Sequence, residues 1–113
     1  METDIRPWGK YTVLLDEPNF KVKIIEMKPG HRLSLQRHQK RSEHWIVVEG
    51  IANVTLDDKT FKVSKNEKTY IEKGQKHRIA NPGTEIMKFV EVQCGEYFGE
   101  DDIERFEDDY NRA

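Results

Sequence analysis

The most informative part of the chain reads Gln36-Arg37-His38-Gln39-Lys40-Arg41-Ser42-Glu43-His44, and Gly74-Gln75-Lys76-His77 follows it further along the chain. Side chains two residues apart on a strand point to the same face, so Gln36 and His38 share one surface. The polar residues 39–42 predict a tight connection, after which Glu43 begins a returning strand opposite His38. Together with His77, these side chains are expected to meet inside a small β-barrel.

The chemistry of these four side chains favours a metal ion. Two imidazoles, one carboxylate and one amide oxygen suit Zn, Fe, Mn, Ni or Co better than Ca or Mg. The sequence therefore predicts a divalent transition-metal site, with Zn as the first candidate and with the ligands Gln36, His38, Glu43 and His77.

Length, charge and cysteine content narrow the class of protein. The 113 residues predict one domain, residues 1–113, with one core. A net charge of -2 gives no global field that would attract nucleic acid or anionic lipid. Cys94 is the only cysteine, which excludes an intramolecular disulfide, and no apolar run approaches the ~18 residues that span a bilayer. A cytoplasmic protein that binds neither nucleic acid nor membrane is expected.

Short strand-like runs separated by Gly, Pro, Asn and Asp turns predict an all-β sandwich or barrel. The runs are Tyr11–Leu15, Val22–Met27, Arg32–His38, Glu43–Val48, Ile51–Leu56, Thr60–Val63, Thr69–Ile71, His77–Ala80 and Ile86–Gln93. The tail differs, because Asp101-Asp102 followed by Ile103, Phe106 and Tyr110 predicts a short amphipathic C-terminal helix.

Two spaced motifs, Gly30-x5-Gln36-x-His38-x4-Glu43-x6-Gly50 and Gly74-x2-His77-x3-Asn81, together resemble the motif pair of cupins. The chain further resembles the C-terminal isomerase domain of type II phosphomannose isomerases over nearly its whole length. Segments that carry this similarity include Arg6-Pro7-Trp8-Gly9, Leu33-Ser34-Leu35-Gln36, Glu43-His44-Trp45, His77-Arg78-Ile79-Ala80-Asn81-Pro82-Gly83, Glu91-Val92-Gln93 and Gly99-Glu100-Asp101-Asp102-Ile103. The chain departs from the family pattern at Glu72, where a proline is usual, and at Asn111, where a glycine is usual.

The resemblance implies a single cupin domain, that is, a double-stranded β-helix or jelly-roll barrel. It also implies a Gln, His, Glu, His ligand set at Gln36, His38, Glu43 and His77. A mannose-1-phosphate guanylyltransferase domain often precedes this domain in the family. Because this chain lacks that domain, we expect that it does not make a nucleotide sugar by itself.

The implied reaction interconverts mannose 6-phosphate and fructose 6-phosphate through an enediolate that a divalent metal stabilises. Glu91 and Lys23 are the candidate bases, and for each the alternative is an ordinary solvated charge. Strand parity places Arg32 and Ser34 on the cavity side. With Arg105 and Arg112 from the tail, they are the candidate ligands of the substrate, although an ordinary surface arginine remains the alternative for each arginine.

Two other functions fit the same residues. One is a noncatalytic, metal-containing cupin that binds a sugar phosphate or a sugar nucleotide. The other is an Fe(II) oxygenase, since two histidines and a carboxylate resemble a facial triad, although Gln36 argues against it. Exposed strand edges in a small barrel also predict a homodimer.

Overall fold

The computed structural model of the protein describes residues 2–110, apart from the side chain of Glu100. These residues form strands with one 3-10 turn near the end, Glu100–Asp102. The strands are β1 (Glu2–Arg6), β2 (Gly9–Asp16), β3 (Phe20–Met27), β4 (Leu35–His38), β5 (Arg41–Glu49), β6 (Ile51–Leu56), β7 (Lys59–Ser64), β8 (Lys68–Ile71), β9 (His77–Ala80), β10 (Met87–Gly95) and β11 (Ile103–Glu107). Within residues 2–110, no helix has the length and apolar character needed to cross a membrane.

The strands form two antiparallel sheets that share one core. The six-stranded sheet has the order β1-β2-β3-β10-β5-β8, and the five-stranded sheet has the order β11-β4-β9-β6-β7. Ile25, Met27 and Phe89 of the first sheet and Val54 and Ile79 of the second belong to the same buried apolar cluster. The apolar inner faces therefore hold the sheets together, as expected for a sandwich or barrel.

Strand β10 shows how the interior changes from apolar to polar. Its inward residues follow the period of two that a strand requires: Met87, Phe89, Glu91 and Gln93 are all buried. The first two pack in the apolar core, and the last two bring a carboxyl and an amide into the other end of the interior. Polar groups buried by a regular strand indicate a site, because burial of such groups without partners is unfavourable.

The nine strands predicted from the sequence all coincide with observed strands, but their limits differ at several ends. The largest difference is at Arg32–His38, of which only Leu35–His38 is a strand; Arg32 forms an isolated bridge with Ala80. Strand β1 was not predicted.

The predicted C-terminal helix is reduced to the 3-10 turn Glu100–Asp102. The following residues, Ile103–Glu107, form β11 and pair with β4, with Ile103 opposite His38 and Arg105 opposite Gln36. Pairing with a distant strand thus overrides the helix-like spacing of the apolar residues, since β4 would otherwise be left as a sheet edge.

Candidate metal centre

Three of the four predicted metal ligands converge in the interior. His38 ends β4, Glu43 lies in β5 and His77 begins β9, and all three are buried to 2% exposure. One ligand atom from each lies within 4.8 Å of the others. The imidazole rings of His38 and His77 stack with their centroids 5.1 Å apart. These three side chains can therefore approach one ion together.

The fourth predicted ligand, Gln36, lies beside them. It pairs with His77 across β4 and β9, and its Oε1 accepts a hydrogen bond of 2.7 Å from the Ser34 hydroxyl. A fixed amide oxygen is available as a donor atom on this face, with Ser34 orienting it. Ser34 itself is 1% exposed, so this contact is part of the interior.

Neighbouring groups orient His77 and Glu43. His77 Nδ1 donates to the carbonyl oxygen of Gln75 at 3.0 Å, and the indole Nε1 of Trp45 donates to Glu43 Oε1 at 3.0 Å. A histidine that donates from Nδ1 presents the lone pair of Nε2. His77 Nε2 is buried and makes no hydrogen bond to any group in residues 2–110. A ring nitrogen with an unused lone pair is what a metal ligand requires. The combination of two imidazoles, a carboxylate and an amide oxygen fits a divalent transition metal.

Arg41 contacts two members of this group in the structure. Its Nε donates to Glu43 Oε2 at 3.0 Å, and its terminal nitrogen lies 2.8 Å from His38 Nε2. Arg41 is 4% exposed, so its guanidinium balances the charge of Glu43 within the interior. One lone pair cannot serve both an N–H donor and a metal. Metal binding at His38 Nε2 therefore requires the guanidinium to move. The other ring nitrogen, Nδ1, is buried 3.5 Å from Glu43 Oε2 and makes no hydrogen bond to any described group.

The electrostatics keep Glu43 and His38 in their metal-binding protonation states. Burial acts to raise the pKa of Glu43, but its electrostatic interactions with His77, Arg41 and His38 outweigh burial and lower this pKa to about 2. Burial lowers the pKa of His38 to about 3, against the opposing charge of Glu43. At neutral pH the carboxyl is therefore ionised and His38 is uncharged, which are the forms that bind metals.

A polar cavity adjoins this group, and four of the six predicted catalytic and substrate-binding residues line it: Lys23, Ser34, Glu91 and Arg105. The other residues of its wall are Trp8, Ile25, Leu33, Gln36, Arg41, Gln93 and Ile103. Because Gln36 and Arg41 belong to this wall and Arg41 contacts His38 and Glu43, the cavity opens directly beside the candidate metal centre.

Glu91 is the acidic group of the cavity. Burial and the Glu43 carboxylate raise its pKa to about 8, although the charge of Lys23 opposes this shift. Lys23 lies opposite Glu91 in the pairing of β3 with β10, and its ammonium sits 4.6 Å from the centre of the Tyr11 ring. A carboxyl with a pKa near neutrality can accept and return a proton under physiological conditions.

The placement of Arg32 on the cavity side is wrong. Its guanidinium forms two hydrogen bonds with the Asp109 carboxylate, at 2.8 and 3.0 Å, on an exposed surface. The consecutive residues Leu33 and Ser34 both line the cavity, so the alternation of a regular strand does not hold before β4 begins at Leu35. The remaining candidate, Arg112, lies outside the described residues.

Sequence reasoning missed Arg41, Trp8 and the neighbouring apolar wall. Residues 39–42 were assigned to a turn, but β5 already begins at Arg41. Arg41 therefore has the same parity as Glu43, and extending the strand by two residues would have placed its side chain inside.

Comparison with solved structures identifies the fold class. CapF, a capsular polysaccharide assembling protein from Staphylococcus aureus, superimposes with a TM-score of 0.81 at 22% identity, over 94% of this chain and 31% of CapF. The cupin domain of Schizosaccharomyces pombe Cnp3 superimposes with a TM-score of 0.74 at 22% identity, over 76% of this chain and 64% of the Cnp3 domain. The protein thus has the cupin fold, which confirms the predicted fold class.

Sequence comparison then gives the family. The sequence model of the family described as "Mannose-6-phosphate isomerase C-terminal" matches residues 1–108. The alginate biosynthesis protein AlgA of Pseudomonas aeruginosa is 56% identical over 108 residues, which are 96% of this chain and 22% of AlgA. The chain belongs to the mannose-6-phosphate isomerase C-terminal family, and it spans about a fifth of the length of the curated relatives that it matches.

In the metal-free protein, the raised pKa of Glu91 predicts a loss of stability as the pH rises. The folded state keeps this proton up to about pH 8, whereas the unfolded chain releases it near pH 4.5. The unfolded state therefore binds fewer protons in this window, and the free energy of unfolding falls by up to about 1.4 kcal/mol per pH unit.

Denaturant unfolding of the wild type and of Glu91→Gln measures this effect. The range from pH 6.5 to 8 is suitable because the opposite contribution of His38 is confined to the range between about 3 and 6.5. We expect the downward slope in the wild type and its loss in the variant. Equal slopes in the two proteins would contradict a raised pKa at Glu91.

Proposed function

We propose that this protein is a metal-dependent isomerase that interconverts mannose 6-phosphate and fructose 6-phosphate. The observation that carries the proposal is the buried His38, Glu43 and His77 group beside a cavity lined by Glu91 and three cationic side chains. Membership of the mannose-6-phosphate isomerase C-terminal family supports the substrate class. The homodimer and the cytoplasmic location expected from the sequence remain predictions.

In this proposal Gln36, His38, Glu43 and His77 hold the metal, with Zn as the first candidate and Co, Mn, Ni or Fe as alternatives. When bound, a divalent cation supplies positive charge that stabilises the negative charge developing on the substrate oxygens. Trp45 and the Gln75 carbonyl keep Glu43 and His77 in position through the hydrogen bonds described above.

Proton transfer between C1 and C2 of the sugar is assigned to Glu91. Its carboxyl is buried, lines the cavity and has a pKa near neutrality, so one group can take the proton from one carbon and return it to the other. Lys23 assists from the facing strand, where its positive charge favours the ionised form that acts as the base.

The phosphate group is assigned to Arg105. This guanidinium lies on β11 opposite Gln36 and reaches the cavity wall, which places a bidentate donor a short distance from the candidate metal centre. Arg32 does not line the cavity, and its guanidinium is paired with Asp109 outside it. Arg105 is therefore the better candidate of the two.

Turnover by purified protein tests the function. With added Zn or Co, the wild type is expected to convert mannose 6-phosphate to fructose 6-phosphate, and a chelator is expected to stop the reaction. His77→Ala removes a buried ligand and should lower kcat/KM by at least ~100-fold together with the metal content. The matched control is His44→Ala, because His44 points outward on β5 and should leave both quantities within about twofold.

A folded, metal-loaded wild type without turnover would refute the isomerase proposal. Saturable binding of mannose 6-phosphate by that protein would instead identify the noncatalytic sugar-phosphate binder. Oxygen consumption by the iron-loaded protein would identify the oxygenase alternative.

Substitution of the two arginines tests the phosphate assignment. Arg105→Gln removes a charged hydrogen-bond donor and is expected to raise KM for mannose 6-phosphate by ~10- to 100-fold, with a smaller change in kcat. Arg32→Gln breaks only an exposed ion pair and should leave KM within about twofold. Steady-state kinetics of both variants measure the difference, and a larger KM effect from Arg32→Gln would overturn the assignment.

A further inference from the structure

Gln93 carries a buried acceptor that the assignments above leave unused. It faces inward from β10, is 1% exposed and lines the same cavity as Glu91 and Arg105. Its Nε2 donates to Glu91 Oε1 at 2.6 Å. Its Oε1 is buried and makes no hydrogen bond to any group of the described chain.

A buried carbonyl oxygen without a donor is unfavourable, and an apolar side chain of similar size would avoid that cost. Other buried polar groups of this part of the interior have a protein partner, since Ser34 donates to Gln36 and Trp45 donates to Glu43. Gln93 Oε1, like the Nε2 atom of His77, has none among the described residues. An unsatisfied acceptor in the wall of a polar cavity therefore indicates a ligand that supplies the missing donor.

The contact with Glu91 uses the Nε2 end of the amide and leaves Oε1 without a partner among the described residues. The nitrogen keeps a second N–H, but the unsatisfied atom is the carbonyl oxygen, which accepts and does not donate. An anionic group is unfavourable beside Oε1, because two acceptors repel each other. The cationic side chains of the cavity, Lys23, Arg41 and Arg105, suit the anionic part of a ligand. Gln93 suits a neutral hydroxyl.

We propose that Gln93 is a substrate-binding residue whose Oε1 accepts a hydrogen bond from one hydroxyl group of the sugar. This inference rests on the proposed function and assigns a further subsite within it. Because Gln93 contacts Glu91, which is assigned to the reacting carbons C1 and C2, the hydroxyl is one that lies near these carbons, at C3 or C4. The short contact between Gln93 and Glu91 keeps this subsite next to the reacting carbons.

Calorimetric titration of the metal-loaded protein tests the subsite. The ligands are mannose 6-phosphate, its 3-deoxy and 4-deoxy analogues, and inorganic phosphate. Wild-type protein should bind one deoxy analogue about tenfold more weakly than mannose 6-phosphate, since a hydrogen bond in a buried site is lost. Gln93→Met, which has a similar volume and no amide, should bind mannose 6-phosphate about tenfold more weakly.

The decisive result comes from combining the protein substitution with the deoxy analogue that binds the wild type more weakly. Gln93→Met should bind this analogue and mannose 6-phosphate with equal affinity. Its affinity for inorganic phosphate should stay within about twofold of that of the wild type. Equal losses for all sugar ligands and for phosphate would show that Gln93 acts only by supporting the site, and would overturn the proposal. If Gln93→Met does not fold, the wild-type titrations decide alone, because unchanged affinity for both deoxy analogues overturns it.

Turnover separates this inference from the proposed function. A wild type that binds mannose 6-phosphate without isomerising it refutes the isomerase proposal, while the titrations still establish or overturn the hydroxyl contact. Absence of any binding of mannose 6-phosphate to the folded, metal-loaded wild type would overturn both.

Discussion

The interior is organised around one constraint, the burial of the ionised Glu43 carboxylate. Such a charge inside a protein must be paired, and leaving it alone after removal of its partner costs about 3–5 kcal/mol. In this structure Trp45 donates to it through its indole and Arg41 through its guanidinium. A divalent cation held by His38, Glu43 and His77 would also neutralise this carboxylate. The site therefore requires a positive charge beside Glu43, from either a guanidinium or a metal ion.

The interior of the fold has two parts, an apolar core and a polar cavity. Along β10 the inward positions change from Met87 and Phe89, which pack in the core, to Glu91 and Gln93, which line the cavity. Because the same strand continues through both regions, the rigid apolar part fixes the position of the polar part. Sites built on strands in this way are held more precisely than sites built on loops.

Alternation along strands made much of this arrangement predictable. A period of two placed Gln36 with His38 on β4 and Glu91 on the cavity side of β10. The same parity placed Ser34 on the cavity side, although Ser34 lies just before β4. The errors lie where strands begin or end. Arg32 lies before β4 and points elsewhere, and Arg41 was assigned to a turn although β5 starts there. The tail was predicted as a helix from the local spacing of its apolar residues. It forms β11 instead, because its pairing with β4 depends on contacts between distant residues, which local spacing does not encode.

We infer that one divalent ion binds between His38, Glu43 and His77, and diffraction at a metal absorption edge would reveal such an ion. For crystals grown with Zn, we expect one anomalous peak about 2.0–2.2 Å from a ring nitrogen of each histidine and from a Glu43 oxygen. If the peak lies beside Nε2 of His38, the Arg41 guanidinium should have moved off that nitrogen. A folded protein in excess Zn with no peak at these residues would show that the three side chains do not hold a divalent ion.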